Sequence, residues 1–358
     1  MNKLLKSKGF QNASASILSI IFGFVFGFIV LLISNPANAV GGFLTILSGG
    51  FTGGMKGLGQ TLYLATPIIM TGLSVGFAFK TGLFNIGASG QFIIGAFTAV
   101  FIAVKATFIP TEILWLVALT GAFVAGGLWA LVPGFLKAYR NVNEVIASIM
   151  MNYIGMYLVN FMVVKTVFDA ARNQSMTPTR AIIPKVGLDT LFNGSNVNLG
   201  IIIAILVAII AYIVLEKTTF GYELKACGYN RSASQYAGMN SKRNILLSMV
   251  IAGAFAGLGG GLLYLAGSGK HIQVVDILAA EGFNGIPVAL LGLSNPIGII
   301  FAAIFVAYIN VGGFYMQLYK FVPEVISIMV AAIIYLSAFS LFFREQISAF
   351  FKKRTEGK

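Results

Sequence analysis

The sequence predicts an all-α protein that crosses a membrane about ten times, and three observations carry that prediction. Of its 358 residues, 58% are hydrophobic and 10% are charged, against about 25% charge in a soluble domain. The apolar residues collect in long runs. Glycine-rich stretches, drawn from 42 glycines in all, border two of those runs. This composition excludes an ordinary cytosolic enzyme, and its apolar content excludes a disordered chain. A single cysteine, Cys227, allows no internal disulfide, and no Cys/His cluster has the spacing of a zinc site.

The apolar runs cover residues 14–33, 62–79, 92–104, 113–132, 145–164, 199–215, 245–266, 286–293, 297–311 and 325–343. A crossing needs about 20 apolar residues, so about eight to ten are available. The first run follows Lys3, Lys6 and Lys8 and precedes Ala37-Asn38-Ala39, which looks like a leader cleavage site. Its apolar part, about 20 residues, exceeds the roughly 7 to 15 of a removable leader, so it reads as a retained helix. The runs at 92–104, 286–293 and 297–311 are short for a crossing. The first two adjoin the glycine-rich stretches 82–91 and 282–285 and read as halves of broken or re-entrant helices. Irregular backbone is tolerated at membrane depth only where protein or a watery cavity satisfies it. The breaks therefore point at a pathway.

With the N-terminus in the cytoplasm and sides alternating through ten segments, 16 of the 24 basic residues fall inside and eight outside. Lys and Arg bias sets orientation, so both termini are expected in the cytoplasm. The expected organisation is a single transmembrane domain over residues 1–358, with cytoplasmic segments at 1–13, 216–243 and 344–358. The tail mixes Phe350 and Phe351 with Lys352, Lys353 and Arg354, as an interfacial anchor does. The net charge of +13 then reflects topology and contact with anionic membrane lipids, not nucleic acid. Phe84-Asn85-Ile86-Gly87 and Phe283-Asn284-Gly285-Ile286 each open a short helix, on opposite sides in this topology. That arrangement suggests an inverted repeat.

Several chemistries are missing. The nearest approach to a phosphate cradle, Gly267-Ser268-Gly269-Lys270-His271, has Tyr264 where the first glycine belongs and His271 where a hydroxyl belongs. The stretch reads as a turn in an outer loop. His271 has no second ligand near it in sequence, and no GxSxG elbow has a base to serve it. No catalytic residue and no metal site is expected. Gly253, Gly257 and Gly261 recur every four residues, which suits close helix packing in lipid.

The loop 216–243 is patterned. Asn230 or Ser232 can cap a short helix running to about Ala237, and Gly238 suits the left-handed position that ends it. Ala233 and Ala237 share a face with Tyr229 and Tyr236 beside it. Such a knob fits either a connector lying on the membrane or a docking helix for a motor protein.

Phe220-Gly221-Tyr222-Glu223-Leu224-Lys225-Ala226-Cys227-Gly228-Tyr229-Asn230, followed by Ala233 and Tyr236-Ala237-Gly238-Met239, resembles the coupling loop of ABC-importer permeases. The chain is similar to the branched-chain amino acid and ribose permease superfamily over about residues 61–309. Asn85-Ile86-Gly87-Ala88-Ser89-Gly90-Gln91, Asn143-Glu144-Val145-Ile146, Ile149-Met150-Met151-Asn152-Tyr153 and Gly282-Phe283-Asn284-Gly285-Ile286 with Ala289-Leu290-Leu291-Gly292 resemble its nucleoside-importing branch. Relatives often carry an acid where Ser89 stands and a base where Leu293 stands.

The resemblance implies a multi-pass subunit in a bacterial cytoplasmic membrane. Its implied partners are a paralogous permease, an ABC ATPase with tandem domains and an extracytoplasmic substrate-binding lipoprotein. ATP and magnesium would then be used by the ATPase, with no cofactor on this chain. Gly221, Ala226, Gly228, Asn230, Ala233 and Gly238 would couple it to that motor. Candidates for the solute pathway are Asn85, Ser89, Gln91, Asn152, Glu281 and Asn284, since neutral amides donate and accept without the cost of a fixed charge. The same amides could instead bond neighbouring helices or repair broken backbone. Glu281 is expected near the outer interface, because an unpaired carboxylate at depth costs about 2.5 to 3.5 kcal/mol. Ribose, another sugar or a branched-chain amino acid is the alternative solute, and an ion-coupled secondary transporter the alternative of another class.

Overall fold

The computed structural model describes residues 8–337. The expected tail at 344–358 and residues 1–7 of the N-terminal arm lie outside the described residues. Helix α1 (Lys8–Ser34) leads through α2 (Ala39–Ser48) and a 3-10 turn to α3 (Gly54–Lys80). Helices α4 (Ala88–Lys105), α5 (Thr111–Arg140) and α6 (Glu144–Thr166) follow. A connecting segment holds a small antiparallel hairpin, β1 (Phe168–Asp169) with β2 (Gln174–Ser175), and the single turn α7 (Leu188–Leu191). Then come α8 (Gly200–Lys217), α9 (Thr219–Tyr229), α10 (Arg231–Tyr236) and α11 (Ser241–Tyr264). The last elements are α12 (Ala280–Phe283), α13 (Gly285–Leu291), α14 (Pro296–Tyr315) and α15 (Pro323–Ser337).

Among the described residues, seven stretches are long and apolar enough to cross a membrane: Ala39–Lys80, Ala88–Lys105, Thr111–Arg140, Glu144–Thr166, Gly200–Lys217, Ser241–Tyr264 and Pro296–Tyr319. Ile20–Ser34 and Glu324–Ile333 are apolar but shorter. The run at 92–104 is longer than expected for a half-helix. Residues Ala88–Gln91 continue it backwards to 18 residues, about 27 Å at 1.5 Å per residue. Its glycine-rich flank is therefore partly helix, and the break is confined to 81–87. The run at 297–311 also grows, to 20 residues, because Asn295 caps it by accepting from Ile297 N and Gly298 N, with Pro296 at the first position. The run at 286–293 does stay short: α13 has seven residues.

Helix α11 is the centre of the bundle, packed against α3, α4 and α5. Its apolar window is 78% buried, against 33% for α6 and for α8. Gly257 explains the position. A Cβ there would overlap the Ala122 carbonyl and the Gly126 backbone of α5, while Gly95 of α4 meets Gly257 from the other side. Gly253 rests on Gly126 and Ala130, and Gly261 on Ala122 and Leu119. The four-residue glycine repeat thus packs helices, as expected, and it lets two neighbours approach one backbone. In lipid, where apolar burial drives little association, such approach is what holds helices together. The outer faces are apolar: Ile202, Leu206, Ile210 and Ile213 on α8, and Tyr153, Tyr157 and Phe161 on α6, are exposed. Helix α1 packs on α15, with Gly23 and Gly27 against Ile333 and Met329.

A Gly257→Val chain should lose about 1–3 kcal/mol from overpacking, whereas Ile210→Ala on the lipid face should change stability by less than about 0.5 kcal/mol. Thermal unfolding of the detergent-solubilised proteins checks this. Equal midpoints for the two variants would mean that the glycine contacts do not hold the bundle.

Candidate functional site

The site is built where helices stop. After Lys80, Gly82 takes a positive φ of 71° and turns the chain out of α3. Residues 81–87 then return to start α4, with Phe79 and Phe84 stacked at 5.4 Å across the turn. This irregular backbone is satisfied by side chains. Asn152 of α6 donates from Nδ2 to the Ile86 carbonyl at 3.0 Å, and its Oδ1 accepts from Gly90 N at 2.8 Å. One amide therefore closes both a free carbonyl at the break and a free N–H in the first turn of α4.

Asn85 and Gln91 face each other and are fully buried. Asn85 Nδ2 donates to Gln91 Oε1 at 2.8 Å and to Ser74 Oγ at 2.9 Å, and Gln91 Nε2 donates back to Asn85 Oδ1 at 3.0 Å. Their amides bond each other and Ser74 of α3.

The second break lies after α11. Residues 265–279 run without helix until α12 and α13 begin. Gly282 sits directly on the Ser89 backbone and Gly285 on the Thr71 backbone, so the two broken segments meet. Ser89 Oγ donates to the Ala279 carbonyl at 2.8 Å. Asn284 is exposed between α12 and α13 and does not line the cavity described next.

A cavity of about 530 Å³ opens where these segments meet. Ser89, Asn152 and Glu281 line it, with Asn160, Tyr264, Lys270 and His271. Of the six pathway candidates, three line the cavity, two are buried behind its wall, and Asn284 stands apart. Glu281 forms an ion pair with Lys270 on the cavity wall. The turn at 267–271 is also more than a loop. Tyr63 Oη donates to Ser268 Oγ at 2.7 Å, and Ile272 pairs with Ser175 of β2. Sequence reasoning missed Asn160, Tyr264, Lys270 and His271. Asn160 was findable, since Asn152, Met156 and Asn160 recur every four residues on one face of α6. Lys270 and His271 carry no local signal.

At one end of the bundle lies the patterned loop. Asn230 caps α10 by accepting from Ala233 N at 3.0 Å, and Gly238 ends it at a φ of 83°. Gly221 is packed on the Val214 carbonyl of α8, and Gly228 on the Lys80 carbonyl and Gly82. Ala226 is half-buried, while Ala233 and Ala237 are exposed. Tyr229 and Tyr236 are 91% and 94% exposed, which leaves a small, aromatic-flanked knob that none of the described residues covers. Arg231 ties the knob to the end of α5 through the Ala138 carbonyl at 3.3 Å, and Glu223 accepts from Asn244 of α11 at 3.0 Å.

A multi-pass helical bundle with a polar cavity at two helix breaks, and an exposed rigid connector at one end, defines the class as a membrane permease. The chain belongs to the family described as branched-chain amino acid transport system / permease component, matched over residues 57–338. It is 39% identical over 319 residues to the guanosine ABC transporter permease protein NupP of Bacillus subtilis, covering 89% of this chain and 90% of that one. The nucleoside ABC transporter permease protein NupB of Lactococcus lactis is 36% identical over 331 residues, 90% of this chain and 89% of that one. The glucose ABC transporter permease protein TsgB13 of Haloferax volcanii is 30% identical over 353 residues, 94% of this chain and 90% of that one. No solved structure matches the chain.

The geometry separates wall from core. In a Cys227→Ser background, Gln273→Cys on the exposed cavity lining should react with a small hydrophilic thiol reagent, whereas Ser74→Cys, fully buried beside Asn85, should not. Mass spectrometry of the labelled protein reads both. Reaction at position 74 as fast as at 273 would mean that the cavity is not where it is described.

Proposed function

We propose that this chain is the membrane-spanning permease subunit of an ATP-driven ABC importer for nucleosides, and that solute passes through the cavity bordered by Ser89 and Asn152. The observation that carries this reading is the likeness to guanosine and nucleoside permeases along nearly the whole chain. The cavity chemistry supports it. A nucleoside moved into hydrocarbon would lose hydrogen bonds at about 2–7 kcal/mol each. The side chains of Gln174 and Gln273, which also line the cavity, can replace some of those bonds, whereas the Asn152 amide is already committed to Ile86 and Gly90. The volume of about 530 Å³ lies in the roughly 300–1,000 Å³ range of small-molecule sites.

In this reading the chain holds no cofactor, and a separate ABC ATPase with tandem domains uses ATP and magnesium. A paralogous permease completes the membrane part, and a substrate-binding lipoprotein delivers solute from outside. The knob at Ala233 faces the ATPase in the cytoplasm, with both termini on that side. The bundle makes about ten crossings as an inverted repeat, within a bacterial cytoplasmic membrane. The residues expected to couple divide into two roles. Gly221, Ala226 and Gly228 seat the connector, Asn230 and Gly238 shape it, and Ala233 is offered to the motor. Pushing on the knob moves Gly228, which rests on Gly82 at the first break. Coupling then needs nucleotide to stabilise one arrangement of the bundle over the other, since solute affinity alone shifts no pump.

A sugar importer is the second reading, favoured by the likeness to a glucose permease. Uptake of labelled guanosine, glucose and leucine by cells with and without this chain decides between them. Guanosine uptake should disappear with the chain, and Ala233→Trp should lower it at least about tenfold (about 1.4 kcal/mol) with the protein still in the membrane. Loss of glucose or leucine uptake with guanosine unaffected would overturn the nucleoside assignment.

A further inference from the structure

Helix α5 keeps one face out of the bundle along its second half. Leu128, Leu131, Val132, Phe135 and Tyr139 recur three or four residues apart and are all exposed. From Leu128 to Tyr139 this stripe runs about 16 Å at 1.5 Å per residue. That is about half of the roughly 30 Å hydrocarbon thickness, the depth of one acyl chain. At its end Phe135 and Tyr139 stack at 4.9 Å, and the Tyr139 ring carries Lys242 of α11, whose Nζ lies 5.6 Å from the ring centroid.

The charges around this end of α5 are unevenly answered. Lys137 is paired with Glu144 at 2.8 Å. Arg231 turns toward the helix end, donating to the Ala138 carbonyl at 3.3 Å and to Asn141 Oδ1 at 3.4 Å. Arg140, the last residue of α5, and Lys242 are both exposed, and neither joins an ion pair among the described residues. A lysine held over a ring keeps N–H donors for an anion, and the arginine fork suits the oxygens of a phosphate. Basic groups set between two helices at the membrane face attract anionic headgroups.

The apolar stripe and the two cations meet at Tyr139, which is where a lipid chain lying along the stripe reaches its headgroup. A zwitterionic lipid brings its own cation to its phosphate. An apolar helix of another subunit could cover the stripe, but it would leave Arg140 and Lys242 unanswered. Charge complementarity therefore favours an anionic lipid over either.

We propose that the end of α5 is a binding site for one anionic phospholipid, with an acyl chain along residues 128–139 and the phosphodiester held by Arg140 and Lys242. This goes beyond a general attraction of basic residues to the membrane surface, because it fixes one headgroup at one place, and it is independent of which solute is carried.

The test is photo-cross-linking of the full chain, purified with the subunits that accompany it, in phosphatidylcholine vesicles containing a photoactivatable phosphatidylglycerol. Mass spectrometry should find the lipid adduct on residues 128–142. Unlabelled phosphatidylglycerol should displace it at least about tenfold more effectively than added phosphatidylcholine. Arg140→Gln combined with Lys242→Gln should lower the adduct at least about tenfold, whereas Arg140→Lys combined with Lys242→Arg should keep it. Lys105→Gln, beside the opposite end of α5, should leave it unchanged. If the paired Gln variant does not reach the membrane, the competition on the wild-type protein decides alone. Equal displacement by the two lipids would overturn the site. So would an adduct unaffected by the paired Gln substitution, or a stripe that cross-links only to another protein subunit. Guanosine uptake can persist in each of those cases, so loss of the site leaves the proposed function standing.

Discussion

A helix interrupted inside lipid leaves N–H and C=O groups that no water reaches, each costing several kcal/mol if left bare. Among the described residues the chain leaves helix at 81–87 and again at 265–279, and side chains satisfy several of the groups so freed. Asn152 accepts from Gly90 N and donates to the Ile86 carbonyl, and Ser89 donates to the Ala279 carbonyl. The three bonds fasten α6, the start of α4 and the 265–279 segment to one another. These elements also share apolar packing, with Phe92, Ile94, Val159, Val163 and Ile272 in one core cluster, and the cavity lined by Ser89 and Asn152 lies among them. The requirement to satisfy broken backbone and the provision of a hydrophilic pocket are thus met by the same few residues.

The connector is joined to this arrangement by backbone contact. Gly228 lies on Gly82 and on the Lys80 carbonyl, so α9 rests on the turn that opens the first break. From Gly82 the chain runs only a few residues to Ile86, whose carbonyl is held by Asn152. Arg231 and Glu223 tie the same connector to α5 and α11. A force on the exposed face at Ala233 therefore meets a short path to the cavity wall and a firm seat on the glycine-packed core. The rigidity of that core has its own cause: Gly257 lets α4 and α5 approach the α11 backbone from two sides.

Much of this was legible in local pattern. The four-residue spacing of Gly253, Gly257 and Gly261 announced a packed helix face, and Asn230 with Gly238 marked the ends of α10 correctly. Asn152 was visible as an amide inside an apolar run. What escaped were relations between distant segments. Asn85 and Gln91 have the same chemistry as Asn152, and only the fold shows that they bond each other and Ser74 behind the wall. Asn284 matches Asn85 in its short motif, but it is exposed. The pocket face of the 265–279 segment depends on Ser175 and Tyr63, which are about a hundred and two hundred residues away. Turn-like composition around Gly267 and Gly269 hid a segment that is held in place. The length of α4 was misjudged for a physical reason as well: glycines near a break can still be helical when a side chain from another helix satisfies the first turn.

The central claim is that solute occupies the pocket formed where the two broken segments meet. An experimental structure of the assembled transporter, trapped with guanosine bound, tests it most directly. Guanosine should lie between Ser89, Asn152 and His271, with the Asn152 bonds to Ile86 and Gly90 intact. Guanosine found elsewhere in the bundle, with that pocket collapsed or filled by side chains, would contradict the account.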